Sequence, residues 1–154
     1  MKHRKHNWLF ALCALTLVTV ATAGAFSLPG LGKYEKVKAT NGAVTIPVND
    51  LSDGKAHFFQ FSDGGKEIKF FVVKGSDGNL HSAFDACDAC YREKKGYVQQ
   101  GDMMVCKNCN MKFQTSRVGH GSGGGCNPSP LAHANDGKNV RFNVTDLVAG
   151  IRFF

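Results

Sequence analysis

The sequence predicts a mainly β fold, a small antiparallel β domain with a cysteine-rich insertion behind an N-terminal hydrophobic segment. Three observations predict it: short apolar runs that alternate with polar residues, Asp-Gly turn signals between these runs, and five of the six cysteines inside one 40-residue window. The 154 residues suffice for about one domain with a single core. A content of 43% hydrophobic and 20% charged residues argues against a disordered chain.

Residues 1–25 have the layout of a signal peptide or an N-terminal membrane anchor. Residues 1–7 are basic, residues 8–25 are uncharged, and Ala21-Thr22-Ala23 matches an Ala-x-Ala cleavage site. The apolar run also reaches the lower length limit for crossing a bilayer, so a cleaved signal and a retained anchor both stay open. Both predict a periplasmic or otherwise extracytoplasmic domain. Cys13 lies in this segment and is interpreted as a small apolar residue.

Behind this segment we expect a tether over residues 26–40 and a cysteine-rich domain over residues 41–154. No later stretch is long and apolar enough for a transmembrane helix, which excludes a multi-helix transporter. Three of the 19 basic residues lie in the leader, so the remaining chain is only mildly basic. Its lysines are scattered and lack interleaved aromatic residues, so we expect no nucleic-acid partner.

The first half of the domain has the pattern of short antiparallel strands. Val44, Ile46 and Val48 alternate with polar residues, and Pro47 indicates an edge strand or a bulge. Segments 56–61, 66–74 and 79–84 follow, separated by Asp-Gly turns that favour tight hairpins. The phenylalanines of these segments are expected in the core rather than in a ligand site.

The C-terminal residues continue the β pattern after the cysteines. Residues 139–144 alternate as a strand, and residues 145–150 read as an N-capped helical turn that ends at Gly150. The apolar residues 151–154 are expected to add a last strand.

The most informative pattern is a pair of Cys-x-x-Cys motifs, Cys87 to Cys90 and Cys106 to Cys109. Two such motifs give four thiolates that can converge on a structural Zn²⁺ or on an iron–sulfur cluster, and the spacing alone does not choose between them. Disulfides and a thiol-exchange site are the alternatives, since export favours oxidation. The odd number of cysteines after the leader weakens the disulfide interpretation, and no βαβ pattern supports a thioredoxin-like one. No Cys-x-x-Cys-His occurs, which excludes c-type haem.

The residues around these motifs provide auxiliary candidates. Residues 91–97 are expected to form an exposed loop, and residues 119–130 form a glycine-rich loop that either covers the metal site or is a flexible surface loop. In that loop, Cys126 and His120 are possible auxiliary metal ligands, while the other histidines are expected in surface or structural positions. Five basic residues lie near the motifs in sequence and could offset the negative charge of a four-thiolate site, or be solvated: Arg92, Lys94, Lys95, Lys107 and Lys112.

Over about residues 40–154 the chain resembles the membrane iron–sulfur FtrD-like domain family. The resemblance rests on a series of short motifs: residues 69–74 with Ser76-Asp77-Gly78, residues 83–91, Lys95-Gly96-Tyr97, Gly101-Asp102, residues 105–109, Phe113 and residues 124–128. By these motifs, Cys87, Cys90, Cys106 and Cys109 match the proposed cluster ligands of that family, and Cys126 matches the cysteine of its Gly-Gly-Cys-Asn-Pro loop.

The resemblance implies a role in bacterial iron uptake. Members are thought to pass electrons through an iron–sulfur centre beside a periplasmic iron-binding protein, a cupredoxin-like protein and an iron permease. We therefore expect an exported or membrane-anchored electron carrier or accessory protein rather than an enzyme, with an iron–sulfur cluster as its cofactor. The alternatives are a structural-zinc binding module and a periplasmic metallochaperone for copper or iron that uses the same thiols. In the latter, Met103, Met104 and Met111 would be soft auxiliary ligands.

Overall fold

The computed structural model describes residues 32–120 and 125–154, and in these ranges the protein is mainly β, as predicted. The strands are β1 (Glu35–Val37), β2 (Ala43–Pro47), β3 (His57–Asp63), β4 (Lys66–Lys74), β5 (Leu80–Phe84), β6 (Tyr97–Gln100), β7 (Met103–Cys106), β8 (Lys112–Gln114), β9 (Ala134–Asn135) and β10 (Asn139–Asn143). One α-helix, α1 (Val144–Ala149), follows β10 within the described ranges. Short 3₁₀ turns cover Val48–Leu51, Tyr91–Glu93, Thr115–Arg117 and Ile151–Phe153.

The largest sheet among the described residues has the strand order β1-β3-β4-β5. Strands β3, β4 and β5 form the predicted antiparallel meander, with Phe59 opposite Phe70 and Val73 opposite His81. Strand β1 adds to β3 in parallel. It lies inside the range expected to be a tether, so this part of the range is a strand. Pairing with β1 satisfies backbone groups along the edge of β3 that would otherwise be open.

Two smaller sheets flank this one. Strands β2, β10 and β9 form an antiparallel sheet with β2 at its edge, the position that Pro47 predicted. Strands β6, β7 and β8 form a second antiparallel sheet that contains Cys106. The cysteine-rich insertion therefore has a sheet of its own.

Strand β4 is buried on both faces and divides the apolar interior into two clusters. One face carries Phe70 and Val72, and the Phe70 ring packs 5.0 Å from that of Phe142 on β10. The other face carries Phe71 and Val73, which belong to a second core together with Cys87, Tyr97, Met104 and Cys106. Alternation along the strand sends neighbouring side chains to opposite faces. Two of the motif cysteines, Cys87 and Cys106, are thus packed in the apolar cluster on this face of β4.

The C-terminus differs from the sequence prediction. Residues 151–154 do not form a last strand, because the backbone turns in a 3₁₀ conformation over Ile151–Phe153. This turn places the rings of Phe153 and Phe154 at 5.8 and 6.5 Å from the Phe84 ring, so ring packing buries Phe153 and partly buries Phe154. Helix α1 begins at Val144 without a side-chain cap, and Gly150 ends it at a right-handed φ of −83°.

The predicted leader, residues 1–25 with Cys13, lies outside the described residues. Within residues 32–120 and 125–154, no helix has the length and apolar character needed to cross a bilayer.

Gly150 provides a test of the packing at the C-terminus. A Cβ at this position would lie 2.2 Å from Phe84 Cε1, in a region where Phe84 is buried and cannot withdraw easily. We expect Gly150→Ala to lower the free energy of unfolding by about 2 kcal/mol through overpacking. Urea unfolding measures the change.

Gly32→Ala is the matched control, because a Cβ there meets no atom within 4 Å. It should change stability by less than about 0.5 kcal/mol. Equal effects of the two substitutions would contradict the packing of Gly150 against Phe84.

Candidate metal centre

The first cysteine pair lies in a turn directly after β5. The amide of Cys90 donates to Cys87 Sγ at 3.3 Å, and the amide of Tyr91 donates to the Cys87 carbonyl at 3.0 Å. These bonds fold the chain so that both thiols of the pair lie on one side of the turn. Lys94 then takes a left-handed conformation with φ of 50° and directs the chain towards β6.

The second pair repeats this arrangement at the end of β7. The amide of Asn110 donates to the Cys106 carbonyl at 2.9 Å, which is the same four-residue spacing as in the first turn. Asn110 has a left-handed φ of 60°, a conformation that asparagine tolerates. The amide of Lys107 donates to the Gly96 carbonyl at 2.9 Å and fixes this turn beside the chain that leaves the first one.

The fold brings all five thiols of the window together in two overlapping groups. Cys87, Cys90 and Cys126 form one group and Cys90, Cys106 and Cys109 the other, and in each group the sulfur atoms lie within 4.8 Å of one another. Cys90 belongs to both, and its sulfur lies 3.6 Å from that of Cys126. All five are free thiols in the described residues, so each group can provide ligands for a metal.

The thiols differ in exposure. Cys87 and Cys106 are buried, Cys90 and Cys126 are intermediate, and Cys109 is exposed. Burial raises the pKa of the Cys87 thiol, and the neighbouring Cys109 thiol together with burial raises the pKa of Cys126. Metal binding requires thiolates, so occupation of this centre must release protons.

Tyr97 lies beneath the thiols and connects two of their loops. Its hydroxyl donates to the Cys126 carbonyl, and its side chain packs in the second core together with Cys87. Burial raises the pKa of Tyr97, which keeps its hydroxyl protonated as a donor. The sequence prediction of an exposed loop over residues 91–97 is wrong for Tyr97, which is 1% exposed and begins β6. The Gly101-Asp102 turn could have indicated the position of Tyr97 from the sequence. It joins β6 and β7 in a hairpin in which Tyr97 lies opposite Cys106.

Asp85 supports this arrangement from two residues before Cys87. Its buried carboxylate accepts hydrogen bonds from the Tyr97 amide at 2.6 Å, from the Tyr34 hydroxyl at 2.6 Å and from Lys33 Nζ. Lys33 Nζ also donates to the Tyr97 carbonyl at 2.8 Å and lies 4.2 Å from the centre of the Phe58 ring. Burial lowers the pKa of Lys33, and the Asp85 carboxylate opposes this shift.

None of these supporting residues was among the sequence candidates. Asp85 and Tyr97 fall inside the motifs that carry the resemblance, but their role there depends on contacts across the fold. Lys33 and Tyr34 lie more than 50 residues before Asp85, and no sequence pattern indicated that they approach it.

The predicted basic residues have different positions around the centre. Lys95 Nζ donates to Asn108 Oδ1 at 3.0 Å, and Asn108 Nδ2 donates to Cys90 Sγ at 3.4 Å, so Lys95 acts on the thiols through an amide. Lys94 lines a cavity of about 350 Å³ that opens beside Cys87, Cys90 and Cys106. Arg92 is exposed and lies against Tyr91.

The auxiliary ligand candidates also differ in their position relative to the thiol groups. Cys126 joins one of the thiol groups, whereas His120 lies outside both and packs its ring against His81 at 5.0 Å. Met104 is fully buried in the second core and Met111 is exposed.

The chemistry of the donors fits a thiophilic metal centre. The centre offers four or five cysteine sulfurs, and among the described residues no carboxylate joins either group. Such donors are those of structural Zn²⁺ and of iron–sulfur clusters, and not of Mg²⁺ or Ca²⁺. The N–H groups of Cys90 and Asn108 that face sulfur atoms are further features that suit thiolates.

Asp85→Asn tests how far the centre depends on the buried carboxylate. An amide cannot accept from all three donors and leaves Lys33 without its counter-charge, so we expect a loss of about 2 kcal/mol in the free energy of unfolding. Urea unfolding at constant metal content measures it. Asp50→Asn is the control, since Asp50 is exposed, and it should change stability by less than about 0.5 kcal/mol. Equal stability of Asp85→Asn and the unsubstituted protein would contradict the proposed support.

Comparison with known proteins identifies the group to which these residues belong. A family model described as membrane iron-sulfur containing protein FtrD-like matches residues 51–154. No curated protein and no solved structure matches the chain. The matched region runs from the end of the turn after β2 to the C-terminal phenylalanines and contains all five clustered cysteines. Because this family model covers more than half of the sequence, the chain belongs to the FtrD-like family of membrane iron-sulfur containing proteins.

Proposed function

We propose that Cys87, Cys90, Cys106 and Cys109 hold an iron–sulfur cluster and that the domain transfers single electrons. The observation that carries the proposal is the convergence of two alike turns, each with a first cysteine that is buried and a carbonyl that accepts the amide four residues on. Such a pair of turns offers two thiolates from each side of one centre. When bound, a cluster supplies one-electron redox chemistry, and the family description agrees with such a cofactor.

We propose that Cys126 serves as a fifth thiol beside the main set of four. It comes from a third segment of chain, whose Gly125 carbonyl accepts from the Ala89 amide at 3.2 Å. Its sulfur lies 3.6 Å from that of Cys90, which already belongs to the first turn. We therefore assign to Cys126 the role of covering the centre.

The surrounding groups would tune the centre towards easier reduction. Hydrogen bonds to ligand sulfur and nearby positive charge both stabilise the more negative, reduced state of an iron–sulfur centre. Asn108 Nδ2 and the Cys90 amide donate to sulfur, and Lys95 places its charge on the far side of Asn108.

Cys109 provides the exit for an electron. It is the exposed thiol of the set, and the exposed cations Arg92, Lys94 and Lys95 lie on the neighbouring turn. A partner with an acidic face would dock here with favourable charge complementarity.

We place this activity in bacterial iron uptake, outside the cytoplasm and at the membrane. The support is the family description together with the signal or anchor pattern of residues 1–25. The partners that this role requires are an iron permease and a periplasmic iron-binding or cupredoxin-like protein.

The decisive measurement is metal analysis with an absorption spectrum of the full chain purified without oxygen. We expect iron, acid-labile sulfide and visible charge-transfer bands that bleach on reduction. A colourless protein with one zinc would overturn the electron-transfer proposal and support a structural-zinc module, for which Cys87 and Cys106 at the edge of the second core would provide the stabilising site.

Single cysteine substitutions test the ligand assignment. Cys106→Ser should lose the visible bands and most of the bound iron, because it removes one of four thiolates. Cys126→Ser is the matched control, and it should keep the bands and the iron content. A Cys106→Ser protein with an unchanged spectrum, or a Cys126→Ser protein that loses its bands, would contradict the assignment.

A further inference from the structure

A second cluster of possible ligands lies outside the thiol centre, at the β4–β5 hairpin. A cavity of about 360 Å³ opens there and is lined among others by Asp77, His81 and His120. None of these side chains belongs to either thiol group.

Asp77 fixes the orientation and the tautomer of His81. His81 is 4% exposed, and its Nε2 lies 3.0 Å from both carboxylate oxygens of Asp77. The backbone amide and the side-chain amide of Asn79 both donate to the same carboxylate. The hydrogen bond from the side chain is the largest of the effects that lower the pKa of Asp77 to about 2. An ionised carboxylate only accepts hydrogen bonds, so Nε2–H of His81 donates. In the neutral imidazole, Nδ1 then carries the free lone pair. A histidine held by a carboxylate in this way is a common arrangement among metal ligands.

His120 supplies a second imidazole. Its ring lies against that of His81 with centroids 5.0 Å apart and planes at 75°. The approach depends on Gly119, whose φ is +72° and where a Cβ would lie 2.5 Å from the Ser82 carbonyl oxygen. Because His120 is exposed, its side chain can rotate to present a ring nitrogen to an ion beside His81.

The remaining histidine of the cavity belongs to another contact. His133 Nδ1 bonds to Ser82 Oγ at 2.7 Å, and Ser82 Oγ donates to the Leu131 carbonyl at 2.7 Å. Ser82 and His81 are neighbours on β5, so their side chains leave opposite faces of the sheet. His133 is therefore not part of the set.

We propose that His81 and His120 form a binding site for a divalent first-row transition metal ion, with Asp77 as the residue that positions His81. Imidazole is a preferred ligand of Zn²⁺, Cu²⁺, Ni²⁺ and Fe²⁺, and the single carboxylate gives the neutral imidazoles a favourable negative neighbour. Water would complete the coordination on the open side of the cavity. This site stands independently of what the thiol centre holds.

The chain contains a matched control for this geometry. Asp53 and His57 have the same four-residue spacing, and their contact is 2.7 Å, but this pair is exposed. No second imidazole packs against His57 among the described residues. If an Asp–His pair alone were sufficient to bind the ion, the Asp53–His57 and Asp77–His81 pairs would bind it with similar affinity.

The test uses Co²⁺ added without oxygen to the full chain after one equivalent of Zn²⁺ has filled the thiols. Equilibrium dialysis measures bound cobalt, and NMR follows the imidazole ring protons, which a nearby paramagnetic ion broadens. We expect one further equivalent of Co²⁺, selective broadening at His81 and His120, and no thiolate-to-cobalt charge-transfer band.

Variants distinguish this site from binding at the thiols or at the exposed Asp–His pair. His120→Gln should weaken Co²⁺ binding at least tenfold, and Asp77→Asn about tenfold, as expected for a residue that orients a ligand. His57→Asn should leave affinity unchanged. His120 is exposed, so His120→Gln should keep the melting temperature of the parent protein. Absence of the additional equivalent, unchanged affinity in His120→Gln, or loss of the equivalent only in Cys126→Ser would each overturn the proposal.

Discussion

The buried carboxylate of Asp85 is the interaction on which the arrangement of the cysteine loops depends. It joins three segments that are distant in sequence: the N-terminal segment through Lys33 and Tyr34, the meander through its own position after β5, and the cysteine hairpin through the Tyr97 amide. A buried charge is tolerated only when it is paired and fully hydrogen-bonded, so these partners must all be in place together. Gly96 allows the approach, because a Cβ there would lie 2.4 Å from the carboxylate.

The thiol centre is built at the boundary of a rigid core and not on a free loop. Strand β4 separates the two apolar clusters, and the second cluster ends in Cys87 and Cys106. One cysteine of each turn is thus immobilised by packing, while the other is closer to solvent. This arrangement combines a fixed ligand geometry with an accessible thiol at Cys109, as the electron transfer proposed above would require.

The two candidate metal sites lie at opposite ends of β5. His81 is near the start of this strand, and Cys87 follows its end. His81 shares its face of the sheet with Ala83, a member of the second core, so the strand that positions one site also positions the other. The chain that passes over His81 at His120 also leads to Cys126, and Asn127 Nδ2 donates to the His120 carbonyl at 3.3 Å. This hydrogen bond joins the segment after Cys126 to the residue that supplies the second imidazole.

The sequence alone was sufficient to predict the β meander, the two cysteine turns and the family, because alternation, turn residues and Cys-x-x-Cys spacing are local signals. It did not predict that Tyr97 is buried, that Lys33 reaches Asp85, or that His120 lies on His81 and not among the thiols. The C-terminal residues were expected as a strand because they are apolar, but ring packing on Phe84 favours a tight turn. These outcomes depend on contacts between residues far apart in the chain, 52 residues in the case of Lys33 and Asp85. Only the tertiary structure decides such contacts, because burial and hydrogen-bond partners exist only once distant segments have packed together.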